Sequence, residues 1–294
     1  MAHRAGFAAI VGRPNVGKST LLNALVGAKV AIVTPKPQTT RTRILGIRTL
    51  PEAQVVFLDT PGIHEARSLL NRRMVDVARQ AVTEADVVVL VVDAAAGLGP
   101  GDRELAATLA GGRATVIAVL SKRDRVAPAA LLPLMEALGE ILPGRDLVPV
   151  SARTGENIAH LLDVVVAALP EGPRLYPEED FTTESERFLV QEAIREQLFL
   201  QTEQEIPYGT AVEVESFTEK PERDVVVVRA NILVAREGHK RIVIGTGGER
   251  LREIGRRARL DLEALFGRKV FLELFVRVEP GWAENARRLK ELGL

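Results

Sequence analysis

The run Gly12-Arg13-Pro14-Asn15-Val16-Gly17-Lys18-Ser19 has the spacing GxxxxGKS, and it stands between the apolar residues 7–11 and a helix-like stretch, 18–26. A strand that turns through glycines into a helix aims backbone N–H groups and the positive helix end at one point, and Lys18 adds a full charge there. Such a point suits a polyphosphate, received by Gly12, Asn15, Val16, Gly17, Lys18, Ser19 and Thr20. The Ser19 hydroxyl can ligate the Mg²⁺ that bridges the terminal phosphates, because a hard cation takes oxygen ligands. A glycine turn with a solvated lysine is the plainer reading, yet strand, turn and helix all fall where a phosphate site needs them.

Further residues fit the same chemistry. Asp59-Thr60-Pro61-Gly62 follows an apolar run that ends at Leu58. The Asp59 carboxylate can reach the Mg²⁺ shell, and Gly62 can present its N–H to a terminal phosphate with no side chain intervening. Thr39 and Thr40 lie in the polar segment 35–43. A threonine hydroxyl there can join the metal only while the last phosphate is present, which makes the segment a nucleotide-sensitive switch. The pattern does not choose between the two threonines, and an ordinary flexible connection is the alternative.

Ser121-Lys122-Arg123-Asp124 follows the apolar run 115–120, and Ser151-Ala152-Arg153 follows the run 147–150. A carboxylate at Asp124 can accept from the N1–H and exocyclic amine of guanine, whereas adenine has no such donor pair. The Lys122 stem can lie along a base face, and a backbone N–H near Ala152 can meet the guanine carbonyl oxygen.

In the C-terminal third, Ile242-Val243-Ile244-Gly245-Thr246-Gly247-Gly248 precedes an amphipathic pattern at Leu251, Ile254 and Ala258. Residues 236–259 hold eight basic against three acidic residues, a local positive patch on a chain of zero formal net charge. A GxxG loop beside an apolar groove lets a nucleic-acid backbone approach closely. Gly245, Thr246, Gly247 and Gly248 would form that approach, with Lys240, Arg241, Arg250 and Arg252 supplying the attraction, since the loop's middle positions are not basic. A glycine-rich helix cap with a solvated basic face is the alternative.

The elements that must hold these residues read in two blocks. Over 1–168, apolar runs with little alternation are joined by helical patterns, which predicts a mostly parallel α/β sheet with functional residues beyond the strand ends. Residues 44–49 and 55–58 flank a proline turn and read as an antiparallel hairpin at one edge. Prolines at 170, 173 and 177 mark 169–182 as an extended linker. Residues 183–280 read as helix, two strands, two helices and strand, an α+β order, and the last strand, 270–276, is expected to be buried. Residues 281–294 form an amphipathic tail expected to pack on its own domain. No apolar run has the length of a membrane-spanning helix, and the short stretch before the first strand leaves no room for a signal peptide. With no cysteine and four scattered histidines in 294 residues, thiolate metal sites and cysteine nucleophiles are excluded.

GRPNVGKST, the Thr39-Thr40-Arg41 segment, DTPG, KxD and SAR occur in the order of the five guanine-nucleotide motifs of the small translational GTPases. VIGxxG in its setting resembles a KH domain of the type II order. Together they resemble the Era family, bacterial GTPases of small-ribosomal-subunit assembly, over nearly the whole chain. The resemblance implies a P-loop GTPase domain followed by a KH domain, with GTP or GDP and Mg²⁺ bound through Ser19, Thr40 and Asp59. It further implies a monomer that binds the 3′ end of small-subunit (16S) rRNA and acts on the 30S subunit in the cytoplasm, with weak peripheral contact at the inner membrane face. Two other functions stay open: an RNA-binding module with incidental hydrolysis, and a membrane-associated regulator acting through the tail.

Three positions refine the comparison. Ile63 stands where many switch GTPases carry a water-orienting glutamine, which implies slow intrinsic turnover. Asn15 matches a position that some relatives use to hold K⁺, with a plain turn residue the equal alternative. Ser121 replaces an asparagine that ties the base to the P-loop. Serine is expected to be too short to copy that tie, weakening GTP binding by about 0.5–1.5 kcal/mol with guanine preference kept.

Overall fold

A computed structural model describes residues 3–62 and 69–294. Ile63, the position of the expected glutamine replacement, lies outside the described residues. The chain divides into two compact units: one takes in the chain up to Ala31, resumes at Thr40 and ends at Thr183, and the other is built chiefly from Glu184–Leu294 together with Ile32–Thr39.

The first unit is a six-stranded sheet made of β1 (Arg4–Val11), β2 (Ile44–Thr49), β3 (Ala53–Asp59), β4 (Val87–Asp93), β5 (Thr115–Ser121) and β6 (Leu147–Pro149), in the spatial order β2-β3-β1-β4-β5-β6. All neighbours pair in parallel except β2 with β3, so the proline turn does close an antiparallel edge hairpin. Helices α1 (Lys18–Val26), α2 (Leu69–Glu84), α3 (Pro100–Ala110), α4 (Pro128–Ile141) and α5 (Ile158–Ala168) make the connections. Central strands buried on both faces need apolar residues at every position, and Val87 through Val92 on β4 are all fully buried.

The proline-rich stretch after α5 is extended and has partners along its length. The fully buried Gln54 accepts from the backbone N–H of Leu175 at 2.7 Å and of Tyr176 at 2.9 Å, and donates to Tyr176 O. Further on, Ile47 N donates to Phe181 O at 2.8 Å, and the Thr182 hydroxyl to Leu45 O at 2.6 Å. Prolines remove donors from this segment, and several of the remaining backbone groups pair with β2 and β3 of the same unit, as Pro170 O and Gly172 N do with Ala5 and His3.

The second unit places α6 (Glu186–Gln201), α7 (Glu237–Ile244) and α8 (Glu249–Phe266) with a sheet of β7 (Thr210–Lys220), β8 (Val225–Val234) and β9 (Lys269–Val278). The sheet order is β7-β8-β9, with β7 and β8 antiparallel and β8 and β9 parallel. Val190, Ile194, Val228, Ile232, Ile254 and Leu262 share its core. The basic stretch before the glycine loop is itself helical, as α7.

The last strand departs from expectation. Only Val270 of β9 is fully buried, while Phe271 and Phe275 are exposed by 54% and 51%. The sheet is covered on one face only, as the same alternation on the central strand β8 shows, so Phe271 and Phe275 lie on the open face while Leu272 and Leu274 pack on the core. The tail folds as α9 (Ala286–Glu291) after a single 3₁₀ turn, with Trp282, Leu289 and Leu292 buried and the Trp282 indole donating to Gly209 O at 3.3 Å.

Residues 32–39 belong to this unit through α6. The Lys36 ammonium donates to Phe199 O at 2.5 Å and also to Thr202 O, at the helix end whose carbonyls carry partial negative charge. Val33 N donates to Glu196 Oε1 at 2.9 Å, and Arg195, buried beside Glu192, donates to Thr39 O.

Candidate nucleotide site and nucleic-acid face

Four of the five nucleotide motifs begin where a strand of the first unit ends, and the Thr39–Thr40 segment lies between α1 and β2. β1 runs into the P-loop, β3 ends on Asp59, β5 ends on Ser121, and β6 leads to Ser151. The convergence follows from parallel pairing, which brings the carboxyl ends of β1, β3, β4, β5 and β6 to one rim.

At the phosphate end, Lys18 is 6% exposed and its ammonium donates to Gly12 O at 3.1 Å and Arg13 O at 2.9 Å, holding the loop around itself. Burial lowers its pKa to about 8, against the attraction of Asp59. Burial likewise raises Asp59 to about 6, opposed by Lys18 and by hydrogen bonds from Ser19, Thr40 and the Thr60 backbone. Ser19 Oγ donates to Asp59 Oδ2 at 2.6 Å and lies 2.9 Å from Thr40 Oγ1, which is 3.4 Å from the same carboxylate oxygen. The other oxygen, Asp59 Oδ1, is buried without a hydrogen-bond partner. Three hard oxygen groups with an unsatisfied carboxylate oxygen are a donor set that fits Mg²⁺.

The two threonines separate here. Thr39 Oγ1 donates to Lys36 O at 2.9 Å and lies 2.7 Å from Thr34 Oγ1, within its own segment. Only Thr40 reaches Ser19 and Asp59. Gly62 must be glycine for space: a Cβ would stand 2.7 Å from Pro14 N and 2.8 Å from Pro14 Cα.

At the base end, a cavity of about 200 Å³ is lined by Gly17, Thr20, Ser121, Lys122, Asp124, Ala152 and Arg153. Ser151 Oγ donates to Asp124 Oδ1 at 2.6 Å, and Arg153 donates to Oδ2 through Nη2 at 2.6 Å and Nε at 3.0 Å. These bonds, Ser151 first, hold the Asp124 carboxyl below its usual pKa, so it stays an acceptor. Lys122 spans the opening, donating to Asn15 O at 2.7 Å and Asp93 Oδ2 at 2.6 Å.

Ser121 corrects an expectation. Its hydroxyl lies 2.6 Å from Val16 O and 3.1 Å from Val92 O, so serine does tie this strand end to the P-loop. Serine suffices because the end of β5 lies directly under the Val16 carbonyl, and a long side chain is not needed for that contact. Two residues escaped the sequence reading. Arg13 donates to the buried Asp102 of α3 at 3.1 Å, bracing the P-loop, and Asp93 anchors Lys122. Nothing in the local pattern marks Arg13; Asp93 ends an apolar strand as Asp59 does, and that was the available signal.

In the second unit the glycine loop joins α7 to α8. Gly245 has φ 73° and ψ 173°, and a Cβ there would come within 2.8 Å of Arg250 Cβ. Arg252 Nη2 donates to Gly247 O at 2.6 Å, and Arg250 donates to Ile242 O, so both arginines brace the loop. Beside it runs a groove lined by Gly248, Leu251, Arg252, Gly255, Leu272 and Leu274. Lys240 is half-buried and Arg241 and Thr246 are exposed. Glu253, one of the three acidic residues in this stretch, engages both Arg256 and Arg257, so the net positive charge counted from sequence stands while these two arginines have a local partner. An apolar floor with a basic rim can receive bases below and phosphates at the edge.

Comparison with known proteins agrees with both halves. Residues 7–122 match the family described as 50S ribosome-binding GTPase, and residues 205–283 match the KH domain family. Fold and motifs thus define a P-loop GTPase that carries a KH domain. The chain is 49% identical to GTPase Era of Geobacter metallireducens over 99% of this chain and 97% of that one, and 47% identical to GTPase Era of Syntrophus aciditrophicus over 99% and 95%. It superposes with a TM-score of 0.95, at 41% identity and 99% coverage of both chains, on an Aquifex aeolicus Era variant bound to GDP·AlF₄⁻. The same figures hold for an Era complex with MgGDPNP and nucleotides 1506–1542 of 16S ribosomal RNA. The chain belongs to the Era family of GTPases.

Proposed function

We propose that this GTPase is a nucleotide-controlled clamp for the 3′ end of 16S rRNA, acting in assembly of the 30S subunit. The observation that carries the control is the division between Thr39 and Thr40. Thr40 stands in the Ser19–Asp59 cluster of the first unit, whereas Thr39 is fastened by Arg195 in the second. One peptide bond therefore joins the candidate metal site to the unit that carries the RNA groove. A terminal phosphate can bias RNA binding only by preferring the arrangement that RNA also prefers, and RNA must favour GTP by the same factor.

In this reading Gly12, Asn15, Val16, Gly17, Lys18, Ser19, Thr20 and Gly62 position the phosphates, and Ser19, Thr40 and Asp59 would hold Mg²⁺. When bound, the metal supplies charge stabilisation at the terminal phosphates. Asp124, Ser151, Ala152 and Arg153 read guanine. No described side chain at the phosphate end is placed as a general base, so rate comes chiefly from phosphate positioning and electrostatics. K⁺ beside Asn15 adds charge at the phosphates, and equal rates in K⁺ and Na⁺ would remove that part. Residues 1–168 act as the GTPase domain and 183–280 as the KH domain. The protein works as a cytoplasmic monomer. A membrane role for the tail is the weaker reading, because Trp282, Leu289 and Leu292 are already packed.

The test is fluorescence anisotropy of a labelled oligonucleotide copying the 16S 3′ end, titrated with protein holding GDPNP or GDP. Tighter binding with GDPNP that Thr40→Ala abolishes is expected. Equal affinity in both states sinks the control mechanism, and no binding at all sinks the RNA assignment.

A further inference from the structure

We infer that Ser121 makes nucleotide binding by this chain indifferent to N7 of guanine, leaving base selection wholly to the Watson–Crick edge. The inference rests on the guanine assignment above and adds which edge of the base goes unread.

The orientation of the base follows from covalent structure. The pyrimidine half carries N1–H and the exocyclic amine, and it belongs at Asp124. The imidazole half is bonded to ribose and so to the phosphates, and it belongs on the P-loop side of the cavity. Ser121 lines that cavity and is tied by its hydroxyl to Val16 of the P-loop. Its side chain is therefore the strand-end group nearest the imidazole half.

N7 is an acceptor and can be read only by a donor. The Ser121 hydroxyl has a single proton, and Oγ lies 2.6 Å from Val16 O and 3.1 Å from Val92 O, so two carbonyls compete for it. Ser121 is 5% exposed, and rotating the hydroxyl toward a base would strip both carbonyls of that donor. The neighbouring Lys122 ammonium gives two of its three protons to Asn15 O and Asp93 Oδ2, which hold it against the P-loop and the end of β4. An asparagine at this position has two amide hydrogens and could satisfy a loop carbonyl and N7 together. Serine keeps the loop contact alone.

The consequence is a tolerance of purines altered at position 7. The test measures affinities of the full-length protein for GTP, 7-deaza-GTP, inosine triphosphate and ATP by competition against a fluorescent GDP analogue. 7-Deaza-GTP is expected within twofold of GTP, while inosine triphosphate, which lacks the 2-amine, and ATP bind at least tenfold more weakly. A 7-deaza-GTP affinity five- to tenfold below that of GTP, the size of a lost neutral hydrogen bond, overturns the inference. Absence of any penalty for inosine triphosphate or ATP would instead overturn the guanine assignment, so the two failures are distinguishable. Ser121→Asn should open a gap of two- to tenfold between GTP and 7-deaza-GTP; a folded variant with no gap places Ser121 away from the imidazole edge and counts against the proposal. The wild-type ratio stands as the deciding measurement should that variant not fold.

Discussion

Replacing Asp124 by Asn tests the base-reading site most directly. The carboxylate is held ionised by Ser151 at 2.6 Å and by Arg153, whose side chain is 71% exposed. A bound guanine must take over the Arg153 bonds or share the oxygen with them. Exposed pairs of this kind contribute about 0–1 kcal/mol, whereas each hydrogen bond from guanine to a charged acceptor contributes about 1.5–3 kcal/mol. Losing two such bonds, less the displaced pair, gives roughly 2–5 kcal/mol, or on the order of 30- to several-thousand-fold in GTP affinity. The asparagine amide presents one acceptor and one donor, which matches the N1–H and O2 of xanthine. Asp124→Asn should therefore gain affinity for xanthosine triphosphate as it loses GTP. Isothermal titration with both nucleotides, with circular dichroism to establish folding, reads both changes. A folded variant that binds GTP within threefold of the original chain would falsify the assignment of Asp124.

Acid should stabilise the nucleotide-free protein through Asp59. Its folded pKa is raised from 3.8 to about 6, so this stabilisation is complete below the unfolded value and lost as pH rises through 6, a span of about 3 kcal/mol. Denaturant melts in EDTA at pH 5 and pH 7 should differ by about 1.3 kcal/mol of this span, the rest being lost already below pH 5, and Asp59→Asn should remove the difference; the same proton opposes Mg²⁺, so metal-dependent nucleotide binding should weaken below pH 6. Gly245→Ala must meet Arg250 Cβ at 2.8 Å in a backbone conformation open almost only to glycine, costing about 1–3 kcal/mol and disturbing RNA binding; a loss below 0.5 kcal/mol on the order-of-magnitude scale of such strain would count against the tight-turn argument. Arg252→Ala should weaken binding of single-stranded RNA and reduce the slope of log affinity against log salt by about 0.7, whereas an unchanged slope assigns Arg252 to bracing Gly247 alone.

The amino-acid order by itself determined the sheet of the first unit, its antiparallel edge and the phosphate and base motifs, because each rests on local signals. The β-branched run at 87–89 argues for a strand covered on both faces, and Gly12 to Ser19 carries its chemistry in adjacent residues. The KH element order was legible for the same reason, down to the turn before Val225. Tertiary structure decided what depends on distance through space. Thr39 and Thr40 are chemically equivalent in sequence, and only the placement of Ser19 and Asp59 singles out Thr40. Ser121 looked too short until β5 placed it beneath Val16. The exposure of Phe271 and Phe275 depends on the helices covering only one face of the three-stranded sheet, which weak alternation does not reveal. The attachment of residues 32–39 to α6 depends on Lys36 meeting a helix end more than 160 residues away in the chain. A pattern fixes what a side chain can do; which partner it meets is settled by packing.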